Sequence, residues 1–308
     1  MTKVFIDGSQ GTTGLRIFDR LSAREDIELI TLHEDLRKDL SARTSAINTS
    51  DITFLCLPDA AAIEAVSVAS DKVRILDTST AHRTSEQWIY GFPEVFEDGF
   101  EKVKNANRVA VPGCHASGFI ALIKPLVDAK ILPADALITC HSITGYSGGG
   151  KGMISEYKNE DRPVIFDAPR QYALAQQHKH LKEMKAISGI ENAPVFCPIV
   201  SDFYSGMCVT VPLFKQQLKN ADINDIKAIY KEKYNGPIVT FLDEIGENGF
   251  VSANGIMGKD NMQIFTEGND DRILLIARYD NLGKGASGAA LQCMNIIMGV
   301  DITTGLDI

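Results

Sequence analysis

The segment that most limits the fold of this chain is Val4-Phe-Ile-Asp7 followed by Gly8-Ser9-Gln10-Gly11-Thr12-Thr13-Gly14 and then Leu15 to Leu21. Val4 to Asp7 is a short apolar run of strand character, and the apolar positions 15, 17, 18 and 21 recur at helical spacing. A strand joined to a helix through three glycines is a βα unit. Its turn lets a pyrophosphate approach the backbone and rest on the helix N-terminus. The spacing G-x-x-G-x-x-G departs from the usual G-x-G-x-x-G, and a turn of small residues built only for packing is the alternative.

The pattern then continues. Glu28 to His33 reads as a second strand, Ile52 to Leu57 as a buried one, Ala60 to Val68 as a helix after Pro58-Asp59, and Val73 to Asp77 and Val109 to Val111 as further strands. Strands alternating with helices at this spacing predict a doubly wound parallel sheet of Rossmann type. From about residue 134 the runs lengthen: Ala136 to Ile143, Met207 to Leu213, Ile238 to Phe241 and Ile273 to Tyr279. These predict an α+β catalytic domain with a mixed or antiparallel sheet. Gly285 to Gly299 carries a helical apolar stripe that needs a sheet to cover. The expected organisation of this α/β chain is residues 1–113 as dinucleotide-binding domain, 114–284 as catalytic domain, and 285–308 as a C-terminal helix returning to the first.

The chemistry centres on Arg108-Val-Ala-Val-Pro-Gly-Cys114-His-Ala-Ser-Gly118, where a strand ends and a helix is expected from Phe119 to Val127. Unpaired N–H groups at a helix start favour negative charge and lower a thiol pKa. Gly113 and Gly118 keep bulk from the sulfur, so Cys114 reads as a nucleophile. Cys56, Cys140, Cys197, Cys208 and Cys293 lie in apolar runs and read as core. A reactive thiol beside a dinucleotide turn pairs a covalent thioester with a nicotinamide hydride donor.

Six cysteines without a C-x-x-C pair predict reduced thiols in the cytoplasm and no metal site. The net charge of −9 disfavours nucleic acid as a partner while leaving small anionic substrates open. No stretch has the ~18 apolar residues of a membrane helix, and no membrane partner is expected.

After the second strand, Glu34 and Asp35 suit the ribose diol of NAD, whereas Arg37 and Lys38 suit the 2′-phosphate of NADP. Of His178 and His180, one can serve as acid/base, and His178 reads as a surface residue. Thr144 to Lys151 is a second glycine-rich loop, an anion site through Ser147 and Lys151 or else a plain hinge. Arg83 is a candidate for gripping a carboxylate or phosphate.

These segments together resemble the shorter form of the N-acetyl-γ-glutamyl-phosphate reductases, within the aspartate-semialdehyde dehydrogenase superfamily. Gly8 to Gly14 is similar to the family's nucleotide loop, Tyr90-Gly-Phe-Pro-Glu94 to Y-G-L-P-E, and Val111-Pro-Gly-Cys114 to N-P-G-C. Ser147 to Gly150 resembles S-G-A-G. His178-Lys-His-Leu-Lys-Glu183 resembles H-R-H-x-P-E, with Lys182 where proline is usual. Asp280 to Ala290 resembles D-N-L-V-K-G-A-x-G-Q-A.

The resemblance spans essentially the whole chain. It implies that Cys114 attacks a γ-acyl phosphate and that hydride from NADPH reduces the thioester to a semialdehyde. It further implies His180 as acid/base, Asn281 and Gly285 at the cofactor NADP(H), and a homo-oligomer, dimer or tetramer. The alternatives are an aspartate-semialdehyde dehydrogenase, a cofactor-free cysteine hydrolase or transferase, and a non-catalytic NADPH-responsive regulator.

Overall fold

The apolar runs of the first 112 residues assemble as parallel strands with helices between them. The computed structural model describes residues 1–308, which divide into two units, Met1–Pro112 with Ala286–Leu306 and Gly113–Gly285 with Asp307–Ile308. In the first, β1 (Thr2–Asp7), β2 (Ile27–Ile30), β3 (Ile52–Leu55), β4 (Arg74–Asp77), β5 (Ile89–Tyr90) and β6 (Arg108–Ala110) pair in the order β2-β1-β3-β4-β6-β5, every pair parallel. Helices α1 (Thr12–Ser22), α2 (Leu40–Thr49), α3 (Asp59–Val68) and α4 (Gly99–Asn105) lie between them in sequence.

Side chains alternate across the sheet. Val4, Ile6, Phe54, Leu76 and Val109 enter one core with Ile17 and Leu21 of α1 and with Leu291 and Met294 of the final helix, Gly288–Met298. Phe5, Leu55 and Ile75 enter the opposite core with Ile47 of α2 and Ala62 of α3. Each fully buried side chain of this size contributes about 1.5–3 kcal/mol. The final helix is therefore one of the layers that keep the parallel sheet dry.

Some boundaries differ from the expectation. The second strand stops at Ile30, and the chain leaves the sheet for a short turn at Glu34–Leu36. Helix α2 lacks an apolar stripe in the sequence; it forms because Asp39 accepts the Ala42 N–H at 2.7 Å and because Arg43, Ala46 and Ile47 are buried.

The order of strands reverses between β1 and β3, and in open α/β sheets ligands bind at such a switch point. Gly8 ends β1 there with φ +86°, and a Cβ would lie 2.3 Å from the Cys56 carbonyl oxygen beyond β3. A Cβ at Gly14 would lie 2.4 Å from the Gly8 carbonyl oxygen, while one at Gly11 meets nothing closer than 3.5 Å. The turn therefore requires Gly8 and Gly14, and Gly11 is dispensable to its backbone.

The second unit begins with α5 (Cys114–Asp128), which starts at the cysteine itself, five residues before the expected helix. Then follow β7 (Thr139–Gly145), α6 (Gly150–Lys158), β8 (Arg170–Gln171), α7 (His180–Ser188), β9 (Val195–Ser201), β10 (Met207–Phe214), α8 (Ile223–Lys233), β11 (Val239–Phe241), β12 (Met262–Gly268) and β13 (Arg272–Tyr279). Their sheet runs β11-β12-β13-β10-β7-β9-β8 and is mixed: β7 and β9 are parallel, and so are β11 and β12, while the other pairs are antiparallel.

Helix α5 packs on β10 and β13 with α7 and α8 against it. Pro125 lies inside α5 and has no N–H to offer the Ala121 carbonyl. Tyr234 at the end of α8 supplies the missing donor at 2.6 Å, so a buried acceptor stays satisfied. No helix of the chain is long and apolar enough to cross a membrane.

The glycine contacts predict an asymmetric outcome in chemical unfolding. Gly14→Ala is expected to lower stability by about 1–3 kcal/mol through forced overpacking, with Gly11→Ala near the parent. Equal losses from the two would contradict the geometry.

Candidate active site

The N-terminal unit carries a groove of about 680 Å³ at the end of β1, lined by Gly8, Ser9, Gln10, Arg37 and Lys38. Glu34 and Asp35 line it as well, so the acids and bases seen in the sequence share one wall. Thr12 and Thr13 open α1, whose N-terminus has no side-chain cap and no acidic residue in its first turn, the setting that suits a phosphate. Asp7 is buried beside this groove, where Arg43 Nε donates to its carboxylate at 3.0 Å and Arg43 Nη1 to Glu64 at 3.0 Å. Burial pushes the Asp7 carboxyl up, and Arg43 opposes the shift.

Arg83, expected on an anionic ligand, is buried. Its Nε donates to the Val111 carbonyl at 2.9 Å and its Nη2 to Thr78 at 2.8 Å, which braces the turn after β4 against the end of β6.

Cys114 is the first residue of α5 and half-buried; the cap is Gly113, and the first turn holds no acid to offset the helix field. Two neighbours to which the sequence reading gave no role fix this turn. The buried Glu183 of α7 accepts the Gly113 N–H at 2.7 Å. Tyr279 at the end of β13 accepts the Gly118 N–H at 3.0 Å and donates to the Cys114 carbonyl at 2.5 Å, so its hydroxyl stands inside the first helical turn. A Cβ at residue 118 would lie 2.7 Å from that hydroxyl. Gly118 thus makes room for Tyr279, a correction to its expected service of leaving the sulfur open.

Around this turn lies a cluster of rings. His180, the first residue of α7, is buried and donates its backbone N–H to His178 Nδ1 at 3.1 Å. That bond assigns the His178 ring proton to Nε2. His178 is not the surface residue expected: it is half-buried and packs edge-on against His115 and Phe196, with ring centroids 5.5 Å and 5.2 Å away. Burial, with Lys179 nearby, lowers its pKa to about 4, and burial, with His178, lowers that of His115 to about 3. Both rings are therefore neutral near pH 7.

Tyr172 belongs to the same cluster, donating to or accepting from His115 Nε2 at 2.7 Å. Its phenol pKa is raised by burial first and by negative charge at Cys114 second. A polar residue directly after the cysteine was the only sequence signal for His115; Tyr172 and Tyr279 carried none.

The glycine-rich loop is more ordered than a hinge. Tyr146–Gly149 forms a tight turn that runs into α6. Ser147 is buried and accepts from Asn281 Nδ2 at 3.0 Å, while Asn281 Oδ1 accepts the Gly206 N–H at 2.8 Å. Asn281, expected at the cofactor, thus spends both ends of its amide bracing loops within its own unit. Lys151 is exposed on α6. Gly285 lies against Cys114: a Cβ there would be 3.1 Å from Cys114 Cβ.

Of the five cysteines read as core, Cys140, Cys208 and Cys293 are buried, whereas Cys56 and Cys197 are half-buried because they fall at a strand end and on the less covered face of the second sheet. Burial pushes the Cys56 thiol up to about 12 and that of Cys208 up to about 11. No group of three or more His, Cys, Asp or Glu side chains could hold a metal ion.

Comparison with known proteins agrees with both halves of this geometry. Residues 3–103 match the family model described as semialdehyde dehydrogenase, NAD binding domain, and residues 114–281 match the one described as semialdehyde dehydrogenase, dimerisation domain. A Nostoc protein named N-acetyl-gamma-glutamyl-phosphate reductase 2 is 43% identical over 99% of each chain. The N-acetyl-gamma-glutamyl-phosphate reductase of Brucella ovis is 41% identical over 96% of this chain and 99% of its own. Among solved structures, an aspartate semialdehyde dehydrogenase from Francisella tularensis superposes with a TM-score of 0.71 over 97% of this chain and 100% of its own at 12% identity, a likeness of fold. With nearly full-length identity above 40%, a nucleotide-binding N-terminal unit and a cysteine at a helix start in the second, the chain belongs to the N-acetyl-γ-glutamyl-phosphate reductases, an oxidoreductase family of the semialdehyde dehydrogenases.

Proposed function

We propose that this chain reduces N-acetyl-L-glutamyl 5-phosphate to N-acetyl-L-glutamate 5-semialdehyde, a step of arginine biosynthesis, with NADPH as reductant and Cys114 as covalent nucleophile. The observation that carries the reading is Cys114 as first residue of α5, half-buried, with no acidic residue in the helix's own first turn and with the Gly113 N–H before it held by Glu183 of α7. The field of that helix start favours a thiolate.

The thiolate attacks the acyl carbon, forming the C–S bond. Phosphate departs with the pair of the broken C–O bond, and the acyl group remains held as a thioester. When bound, the nicotinamide supplies the hydride that turns the thioester into the aldehyde, releasing Cys114 as thiolate. His180 holds the proton that offsets charge developing on the acyl oxygen. The exposed Lys151 offers positive charge to the phosphate or carboxylate, with Ser147 shaping the loop behind it and Arg83 the turn after β4.

The cradle at Gly8 and Gly14, which a Cβ would fill, fits a dinucleotide pyrophosphate with Ser9, Gln10, Gly11, Thr12 and Thr13. Arg37 and Lys38 on the groove wall support NADP(H) over NAD(H), with Gly285 kept small beside the nucleophile. A homo-oligomer is proposed from the dimerisation-domain match, and a cytoplasmic setting from six thiols without a disulfide.

Three measurements test this. Turnover of N-acetylglutamyl phosphate and of aspartyl phosphate by the parent and Cys114→Ser should show the first substrate preferred and the variant slower by at least about 10³-fold; a variant near parent turnover ends the covalent reading. Arg37→Ala/Lys38→Ala should lower kcat/KM for NADPH by about 10–100-fold and leave NADH almost unchanged, the size of a lost hydrogen bond to a charged group. A parent preferring NADH overturns the cofactor assignment. His180→Asn should lower kcat by about 10²–10⁴-fold. His178→Asn, which keeps an acceptor for the His180 N–H, should cost far less, and the reverse ranking would reassign the acid/base.

A further inference from the structure

Immediately after Cys114, helix α5 turns a buried imidazole toward two other elements. His115, 3% exposed, sets Nδ1 at 2.7 Å from Ser142 Oγ on β7 and Nε2 at 2.7 Å from Tyr172 Oη. Tyr172 opens the irregular stretch between β8 and α7, which continues to His178 and ends at His180. That stretch is also tied to β9 by the Tyr172 N–H, which donates to the Pro198 carbonyl at 3.0 Å, and by Gln176. Gln176 Nε2 donates to the Phe196 carbonyl at 2.7 Å and Gln176 Oε1 accepts the Phe196 N–H at 2.8 Å, which pins its middle to β9. The His115 ring also lies 5.5 Å from that of His178 and 5.6 Å from that of His180.

We infer that His115 is a positioning residue: its ring ties the Tyr172 phenol, and with it the histidine segment, to the helix that carries the nucleophile. Three observations support this. Each ring nitrogen faces a hydroxyl that can either donate or accept, so a neutral imidazole is satisfied in either tautomer. A charged ring would stand against His178 and His180, and burial keeps it neutral near pH 7. Burial first and negative charge at Cys114 second hold the Tyr172 phenol protonated, so what His115 orients near the sulfur is a neutral O–H dipole. Titratable groups close to this turn include Tyr279, Glu183, His178 and His180, with Lys179 beside His178 and the thiols of Cys140 and Cys208 acting on Tyr279.

The inference rests on Cys114 as nucleophile, and its test does not depend on turnover. The readout is the pH dependence of Cys114 alkylation by iodoacetamide, followed by mass spectrometry, alongside kcat and KM. A glutamine amide reaches about as far as Nε2 and an asparagine amide only as far as Nδ1. His115→Gln should therefore hold the alkylation midpoint and keep kcat within about threefold, whereas His115→Asn should raise the midpoint by about one pH unit and lower kcat about tenfold with the cofactor KM unchanged. Tyr172→Phe should reproduce the asparagine effect, and the double variant should be no worse than either single one.

Additive losses, or a glutamine variant as impaired as the asparagine one, would overturn the inference. Should His115→Asn not fold, Tyr172→Phe decides alone, because it leaves the ring and its Ser142 bond in place; an unmoved midpoint there counts against us. A Cys114→Ser enzyme that still turned over would remove the proposed mechanism, while the alkylation midpoints would still judge the link between His115 and Tyr172.

Discussion

The Tyr279 hydroxyl occupies the place of one helical hydrogen bond, and the position of Cys114 depends on it. It takes the Gly118 N–H and gives its proton to the Cys114 carbonyl, the pair that an undisturbed α-helix would join directly. Complete burial raises the phenol pKa, so the group stays a protonated donor. Because β13 is an interior strand of the mixed sheet, flanked by β12 and β10, the first turn of α5 is tied to that sheet. Glu183 grips the other side through Gly113, and a reactive residue is thereby held from a strand and a helix at once.

The same economy governs the rest of α5. A helix with Pro125 inside it and most of its residues buried cannot leave a carbonyl bare, and Tyr234, just after α8, and Tyr230 within it donate to the Ala121 and Leu122 carbonyls. Packing and hydrogen bonding are thus solved by the same tyrosines, whose rings add apolar area while their hydroxyls close the polar account. In the nucleotide-binding unit the comparable constraint is absence: Gly8 and Gly14 are where β1, the Cys56 carbonyl and α1 come too close for any side chain.

These two devices suit an acyl-phosphate reductase. In the proposed mechanism a thioester intermediate is formed at one fixed point and stays there until reduced, and holding it covalently replaces a bimolecular encounter with an intramolecular one. A preorganised helix start serves the first need. The neutral imidazoles of buried His115 and half-buried His178 serve the second, since in that mechanism they bring no positive charge that would pair permanently with a Cys114 thiolate. Family membership at more than 40% identity accords with this arrangement.

What the sequence determined by itself was local. The glycine turn after β1, the alternation that makes a parallel sheet, the apolar final helix and the Pro-Gly-Cys start of α5 all follow from steric rules acting over fewer than about 20 residues, the span of a single strand-turn-helix unit. Even there, the requirement for Gly14 and the latitude at Gly11 emerge only from contacts across the turn. Tertiary structure alone decided the rest. Gly113 finds Glu183 at a separation of 70 residues, Gly118 finds Tyr279 at 161, and His115 finds Tyr172 at 57. Short strands such as β5 and β8, and the polar helix α2, gain their stability from neighbours rather than from propensity, which is why no periodicity announced them. A side chain's partner at such distance is set by sheet order and helix packing, and no window of sequence contains both.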